Sequence, residues 1–225
     1  MFYISISTNI MEKQIDINFT MVQGLFISEH TLDIDHNAIV NEVLESRESP
    51  ENHPMSKKFR DDSFQMKEVH HTFYEDTNMF DKTVNKLLPP IQNIINSIFG
   101  QNRLIFEEVW GHIIPPGDQT MVHNHTSNFK MPGLSFAYYP HVVPNGGNIY
   151  FLAEVNGSKT TYEHEVKQGD LLIFSQELWH YTPRNGSDQN RVTVSGNLFG
   201  TADFYSELQQ DDYARNPYWH YNGRP

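Results

Sequence analysis

The chain reads MVHNH over Met121–His125, LWHYT over Leu178–Thr182 and RVTVSGN over Arg191–Asn197. His123 and His125 are one residue apart. Successive side chains on a strand point to opposite faces, so two residues at this spacing leave the same face. A third histidine, His180, on a neighbouring strand can meet them at one point. Three imidazoles converging inside a β-barrel make a site for a divalent transition metal, with iron among the choices. Arg191 follows His180 by eleven residues and supplies a fixed cation near that metal. Its guanidinium suits bidentate pairing with the carboxylate of a small acidic co-substrate.

Outward from these stretches, strand-like runs follow one another from Leu104. They are Leu104–Ile114, Gln119–His125, Gly133–Tyr139, Asn148–Leu152, Lys159–Glu165, Asp170–Phe174 and Arg191–Phe199. Turn residues separate them, at Pro115-Pro116-Gly117-Asp118, Pro144-Asn145-Gly146-Gly147, Asn156-Gly157, Gln168-Gly169-Asp170 and Asn185-Gly186. Short strands at this spacing indicate a sandwich or barrel. Residues 1–103 mix strands and helices. Phe2–Ser7 and Gln14–Phe19 alternate as half-buried strands do. Asp35 is an N-cap for a helix from His36 to about Ser46, with Ile39, Val40, Val43 and Leu44 on one face. Asp76 or Thr77 caps a second helix that ends near Leu88. Pro89-Pro90 starts a third, whose Ile91, Ile94, Ile95 and Ile98 form one core-facing stripe, and Gly100 closes it. These helices are expected to pack on the outside of one sheet. Glu45–Asp62 is polar, holds Pro50 and Pro54, and reads as a long loop suited to act as a lid. Thr201–Pro225 carries Tyr205, Tyr213, Tyr218, Trp219 and Tyr221. It reads as packing back on the domain or contributing to a homodimer contact.

The whole chain of 225 residues reads as one domain, with a core at 104–200, supporting elements at 1–103 and an aromatic extension at 201–225. The apolar fraction of 38% is modest, but aromatics reach 13%, enough to build a core from Phe, Tyr and Ile. Sixteen basic and 28 acidic residues give a formal charge of −12. Such a surface repels phosphate backbones, and no Lys/Arg cluster offers a basic groove, so nucleic acid is disfavoured as a partner. A basic peptide would be drawn to it. There is no cysteine, hence no disulfide and no thiolate metal site. Met1–Ile10 lacks the basic start and long apolar run of a signal peptide. No stretch approaches the ~20 apolar residues that span a bilayer. A soluble, cytoplasmic protein is the expectation.

Taken in order, the motifs resemble the iron(II)- and 2-oxoglutarate-dependent oxygenases. The matching text is Glu108-Val109-Trp110, Pro116-Gly117-Asp118, His123-Asn124-His125, Leu134-Ser135-Phe136-Ala137-Tyr138-Tyr139 and Gly146-Gly147-Asn148-Ile149-Tyr150-Phe151. It continues with Gln168-Gly169-Asp170-Leu171-Leu172-Ile173-Phe174, Trp179-His180 and Arg191-Val192-Thr193. The resemblance covers roughly residues 104–200 and is nearest to small uncharacterised oxygenases of bacteria and phages, on the prolyl-hydroxylase-like side. It implies a mainly β fold with flanking helices, a double-stranded β-helix or cupin-like jelly-roll barrel. It implies Fe(II) and 2-oxoglutarate as cofactor and co-substrate, with O2. His123 is then the first metal ligand and His180 the distal one. Arg191 pairs with the far carboxylate of 2-oxoglutarate, Tyr139 assists, and Thr193, inward with Arg191 by strand alternation, adds a hydroxyl contact. The implied chemistry is oxidative decarboxylation to succinate and CO2, coupled to hydroxylation of an unactivated C–H on a peptide, protein side chain or amino-acid-like molecule.

Position 125 departs from the family pattern, which has a carboxylate there. His125 makes a three-His centre the expectation, and an imidazole in that place argues against halogenation. Glu154 is the alternative donor. Two other functions compete. One is a cupin-like three-His dioxygenase that does not use 2-oxoglutarate, favoured by His125. The other is a non-catalytic jelly-roll binding protein. Among other marked residues, His70-His71 reads as surface in a helix or loop, and His112 as facing either the barrel mouth or the core. Trp179 reads as a wall of the pocket, and Tyr138 and Phe136 as packing opposite Tyr139. Gly146-Gly147 reads as turn chemistry, and for Arg191 a structural salt bridge is the plain alternative.

Overall fold

Alternating apolar runs broken by turn residues become two antiparallel sheets facing each other. The computed structural model describes residues 3–10, 13–22, 25–47, 69–73, 84–101, 103–125, 133–155 and 158–201. Twelve strands lie in these ranges. The first four are β1 (Tyr3–Ile10), β2 (Lys13–Val22), β3 (Leu25–Thr31) and β4 (Val69–Phe73). Next come β5 (Leu104–Ile114), β6 (Thr120–His123), β7 (Gly133–His141) and β8 (Ile149–Val155). The last are β9 (Ser158–His164), β10 (Asp170–Ser175), β11 (Trp179–Thr182) and β12 (Arg191–Gly200). The larger sheet has the order β1-β2-β3-β10-β7-β12-β5-β4, and the smaller β6-β11-β8-β9. This is the expected mainly β, jelly-roll arrangement. The larger sheet draws strands from both sides of residue 104, so the first part of the chain extends it. Among the described residues no helix is long and apolar enough to cross a membrane.

Two helices, α1 (His36–Arg47) and α2 (Val84–Phe99), pack on one face of the larger sheet. The Asp35 Oδ1 accepts from the Ala38 N–H at 3.1 Å, the cap expected of it. Ile39 and Val43 of α1, and Leu87, Ile91, Ile94 and Ile95 of α2, join Val109, Ile113, Tyr138 and Ile173 in an outer core. A second core fills the space between the sheets, with Ile27, Ala137, Tyr139, Phe151, Leu172 and Phe174. Phe136 and Tyr138 belong to the outer core and Tyr139 to the inner one, as alternation on β7 requires.

Four expectations need correction. β3 was not expected, because it does not alternate: Ile27, Ser28 and His30 are all buried, covered on both faces. His70 and His71 lie on β4, facing Gly111 and Trp110 across the ladder, not in a helix or loop. Pro89 and Pro90 lie inside α2 and do not begin a new helix. The apolar stripe runs unbroken from Leu87 through Ile95, so burial on the sheet outweighs the backbone bonds the prolines cannot make. Finally, α1 continues to Arg47, so the polar stretch starts as helix. The rest of the proposed lid, the Asp76/Thr77 cap and the aromatic extension beyond Thr201 lie outside the described residues. Gly100 closes α2 with φ of +97°, which its missing Cβ permits.

Candidate metal centre

His123 is the last residue of β6 and pairs directly across the ladder with His180 of β11. Side chains opposite one another in such a pair share a face, and their ring centroids are 4.3 Å apart. His125 lies two residues past the end of β6, where strand alternation no longer fixes its direction. Its backbone N–H instead donates to the Gln176 carbonyl at 2.9 Å. This tie turns the ring inward, 5.1 Å from that of His123 and 4.9 Å from that of His180. One donor atom from each of the three histidines falls within 4.8 Å of the others. Glu154, the alternative donor, is exposed on β8 and faces Lys159 across the ladder.

Each ring is held through Nδ1. The His123 Nδ1 bonds the Met121 carbonyl at 2.8 Å, and the His180 Nδ1 the Leu178 carbonyl at 2.8 Å. The His125 Nδ1 meets Asn197 Oδ1 at 2.9 Å and Ser135 Oγ at 2.8 Å. A carbonyl oxygen facing Nδ1 requires the proton there and leaves Nε2 as a bare donor. The His125 and His123 Nε2 atoms are 3.2 Å apart. Two nitrogens about 2.0–2.1 Å from one cation at near-right or tetrahedral angles have about this separation. Burial, then the neighbouring His125 and His123 rings, hold His180 well below the usual histidine range. Burial likewise lowers His123, against the opposing Met121 carbonyl. Neutral imidazoles are what a divalent ion needs, and an all-nitrogen set fits iron(II), among other borderline metals.

β12 supplies the opposite wall. Its inward residues run Arg191, Thr193, Ser195 and Asn197, and across the ladder Thr193 faces His112 and Ser195 faces Trp110. Arg191 is 2% exposed and reaches the same cavity as the three histidines. Its Nη1 donates to the carbonyls of Gly146 and Gly147 at 3.1 and 3.4 Å. Gly147 has φ of +90°, a turn that aims these carbonyls. The Arg191 Nε has no hydrogen-bond partner among the described residues, nor has Thr193 Oγ1. Among the described residues Arg191 forms no salt bridge, the structural alternative to an anion site. Burial pushes Arg191 down to about 10, with Tyr139 opposing, which leaves it charged at neutral pH. Tyr139, 3% exposed in the same cavity, is raised by burial and stays a neutral O–H donor. A buried cation without an anion is costly, and an entering carboxylate would relieve that cost.

His112 lines the cavity, as one of its two readings held. Trp179 does not. It alternates with His180, is half exposed and faces away from the site. Trp110, Thr120, Thr182, Ser135 and Asn197 were missed. Alternation from Arg191 puts Asn197 on the inward face of β12 but does not mark it as a partner of His125. No described Asp or Glu lines the cavity.

Comparison with known proteins gives no matching family model and no matching curated sequence. Solved structures do match. A Pseudomonas putida prolyl-4-hydroxylase is 14% identical, with a TM-score of 0.55 over 78% of this chain and 93% of that one. The α-ketoglutarate-dependent carbocyclase SnoK of nogalamycin biosynthesis is 13% identical, with a TM-score of 0.58 over 81% and 85%. The epimerase SnoN, solved with Fe3+ and α-ketoglutarate, is 13% identical, with a TM-score of 0.56 over 77% and 78%. This chain therefore shares the jelly-roll fold of the non-haem iron and 2-oxoglutarate oxygenases.

Proposed function

We propose that the chain is an iron(II)- and 2-oxoglutarate-dependent dioxygenase. It hydroxylates a C–H bond of a peptide or protein side chain, or of an amino-acid-like molecule, and releases succinate and CO2. One observation carries this reading: three bare imidazole nitrogens and a buried arginine without an anion face one cavity. His123, His125 and His180 would hold the metal. Iron bound with 2-oxoglutarate supplies the activation of O2. Arg191 would bind the distal carboxylate, with its Nε free to donate. Thr193 Oγ1 offers a hydroxyl to the same group, and Tyr139 an uncharged phenol O–H. The buried side chains of Phe174 and Ile149 wall the cavity and exclude water from the reacting atoms.

The all-nitrogen donor set also favours a second reading, a cupin-like dioxygenase that uses no 2-oxoglutarate. Arg191 distinguishes the two, because a neutral co-substrate would leave it unpaired. The test is stoichiometric. Purified protein with Fe(II), O2 and 2-oxoglutarate should form succinate and CO2 in equal amounts, and more of both with a hydroxylatable substrate. Metal binding without any 2-oxoglutarate binding or turnover would select the cupin-like reading. Neither metal nor 2-oxoglutarate binding would leave a non-catalytic barrel.

A further inference from the structure

His125 stands past the end of β6, and its ring is held by partners of a different kind from those of the other two. His123 and His180 each bond a backbone carbonyl two residues earlier, Met121 and Leu178. That device is local and needs no particular side chain. His125 relies on two side chains from distant strands. Asn197 of β12 and Ser135 of β7 are cross-strand partners, 7% and 0% exposed. The Ser135 hydroxyl donates to Asn197 Oδ1 at 2.7 Å, and both oxygens lie within 2.9 Å of the His125 Nδ1.

We infer that Asn197 and Ser135 are positioning residues that make His125 a metal ligand by fixing the proton on its Nδ1. The inference rests on the three-His reading of the site and adds what selects the third donor. An amide oxygen has lone pairs and no hydrogen, so facing Nδ1 it demands the Nδ1–H tautomer. The Ser135 hydroxyl points its hydrogen at the same oxygen and keeps that oxygen, not the amide nitrogen, turned to the ring. With the amide reversed, its N–H would face Nδ1 and the ring proton would move to Nε2. The His125 Nε2–H would then point at the His123 Nε2, 3.2 Å away. Two ligands would be joined in a hydrogen bond and lost to the metal. The asparagine thus chooses between an open donor set and a closed pair of histidines. It also does so without charge, whereas an aspartate would return a negative charge to the centre at one remove.

The test uses the full chain. Nitrogen-15 spectra of metal-free protein should place the His125 proton on Nδ1, and Asn197→Leu should remove that preference. Asn197→Leu should weaken Fe(II) binding by about ten- to a hundredfold under anaerobic titration, the usual cost of losing a partner behind a metal-bound histidine. Asn197→Asp, still an acceptor, should bind iron at least as tightly as wild type. A structural role alone would lower thermal stability without moving tautomer or affinity. The inference is overturned by an Nε2–H His125 in the wild-type protein, by wild-type iron affinity in folded Asn197→Leu, or by a tenfold loss in Asn197→Asp. His180→Ala separates the two layers. If it leaves iron affinity intact, the three-His reading fails; if it abolishes binding while Asn197→Leu does not weaken it, only the clamp fails.

Discussion

Arg191 has two contacts to backbone carbonyls and an idle Nε, so its removal takes little from the fold and most from an incoming anion. Arg191→Ala should weaken 2-oxoglutarate binding by roughly ten- to a hundredfold, from a charge-assisted contact of ~1.5–3 kcal/mol. Fe(II) affinity should stay unchanged; calorimetric titration of both ligands reads this, and an unaltered 2-oxoglutarate affinity would place the co-substrate elsewhere. At the metal, His125→Ala should loosen iron while His180→Ala abolishes binding. His125→Asp should restore the commoner two-His, one-carboxylate set and retain part of the activity; iron content and succinate yield measure each. The side chains that meet in the cavity were legible in the sequence because a spacing exposed them. His123 and His180 lie on strands, and Arg191 and Thr193 share a strand face. Ser135 and Asn197 were not legible. A serine and an asparagine on strands carry no signal until β7 and β12 are known to be neighbours, 62 residues apart in sequence.

At the scale of elements, α1 sits on β5 where the strand has no side chain. A Cβ on Gly111 would lie 2.7 Å from Val43 Cγ1. Gly111→Ala should therefore cost about 1–3 kcal/mol of stability, read from denaturant melts, and Val43→Ala in the same chain should recover part of it. β9, the edge of the smaller sheet, is tied inward by His164. Its Nδ1 meets Glu29 of β3 at 3.1 Å and its Nε2 meets Asp170 of β10 at 3.0 Å, while Tyr162 bonds the same Glu29. Burial lowers His164, but the bonds to Asp170 and Glu29 outweigh it and raise it to about 9. The protonated form is thus bound more tightly in the folded state. Its contribution is full below the ordinary histidine value of ~6.5 and is lost as pH rises through about 9. Urea midpoints should fall across that window in wild type and fall less in His164→Leu; parallel curves would remove His164 from the account. The strands from β5 onward, all but β11, were readable because turn residues mark their ends; β11 is only four residues long and falls outside every strand-like run. β3 was not, since a strand covered on both faces loses its alternation. Nor was the length of α2, where prolines argued locally for a break that packing overrides.

For the whole molecule, surface and cavity have opposite characters. The chain carries a formal charge of −12, yet its cavity holds Arg191 and no described carboxylate. Net charge alone suggested a cationic partner; the interior suits a small dianion. This difference was invisible in composition, which counts charges without placing them. The three histidines are anchored in two different sheets. His123 and His180 belong to the smaller sheet, while His125 is bonded through Ser135 and Asn197 to the larger one. An ion held by all three would act as a rivet across the mouth of the sandwich. β6 and β11 are four residues each, the shortest strands described, and their ladder slips register after His180. Left to their own hydrogen bonds they should open locally far more often than β7 or β10. Loading with Fe(II) under argon should slow amide exchange in β6 and β11 and leave α1 unchanged, as followed by mass spectrometry. Equal protection everywhere would mean that the ion tightens the fold as a whole, and no protection at either strand would mean that it does not join the sheets.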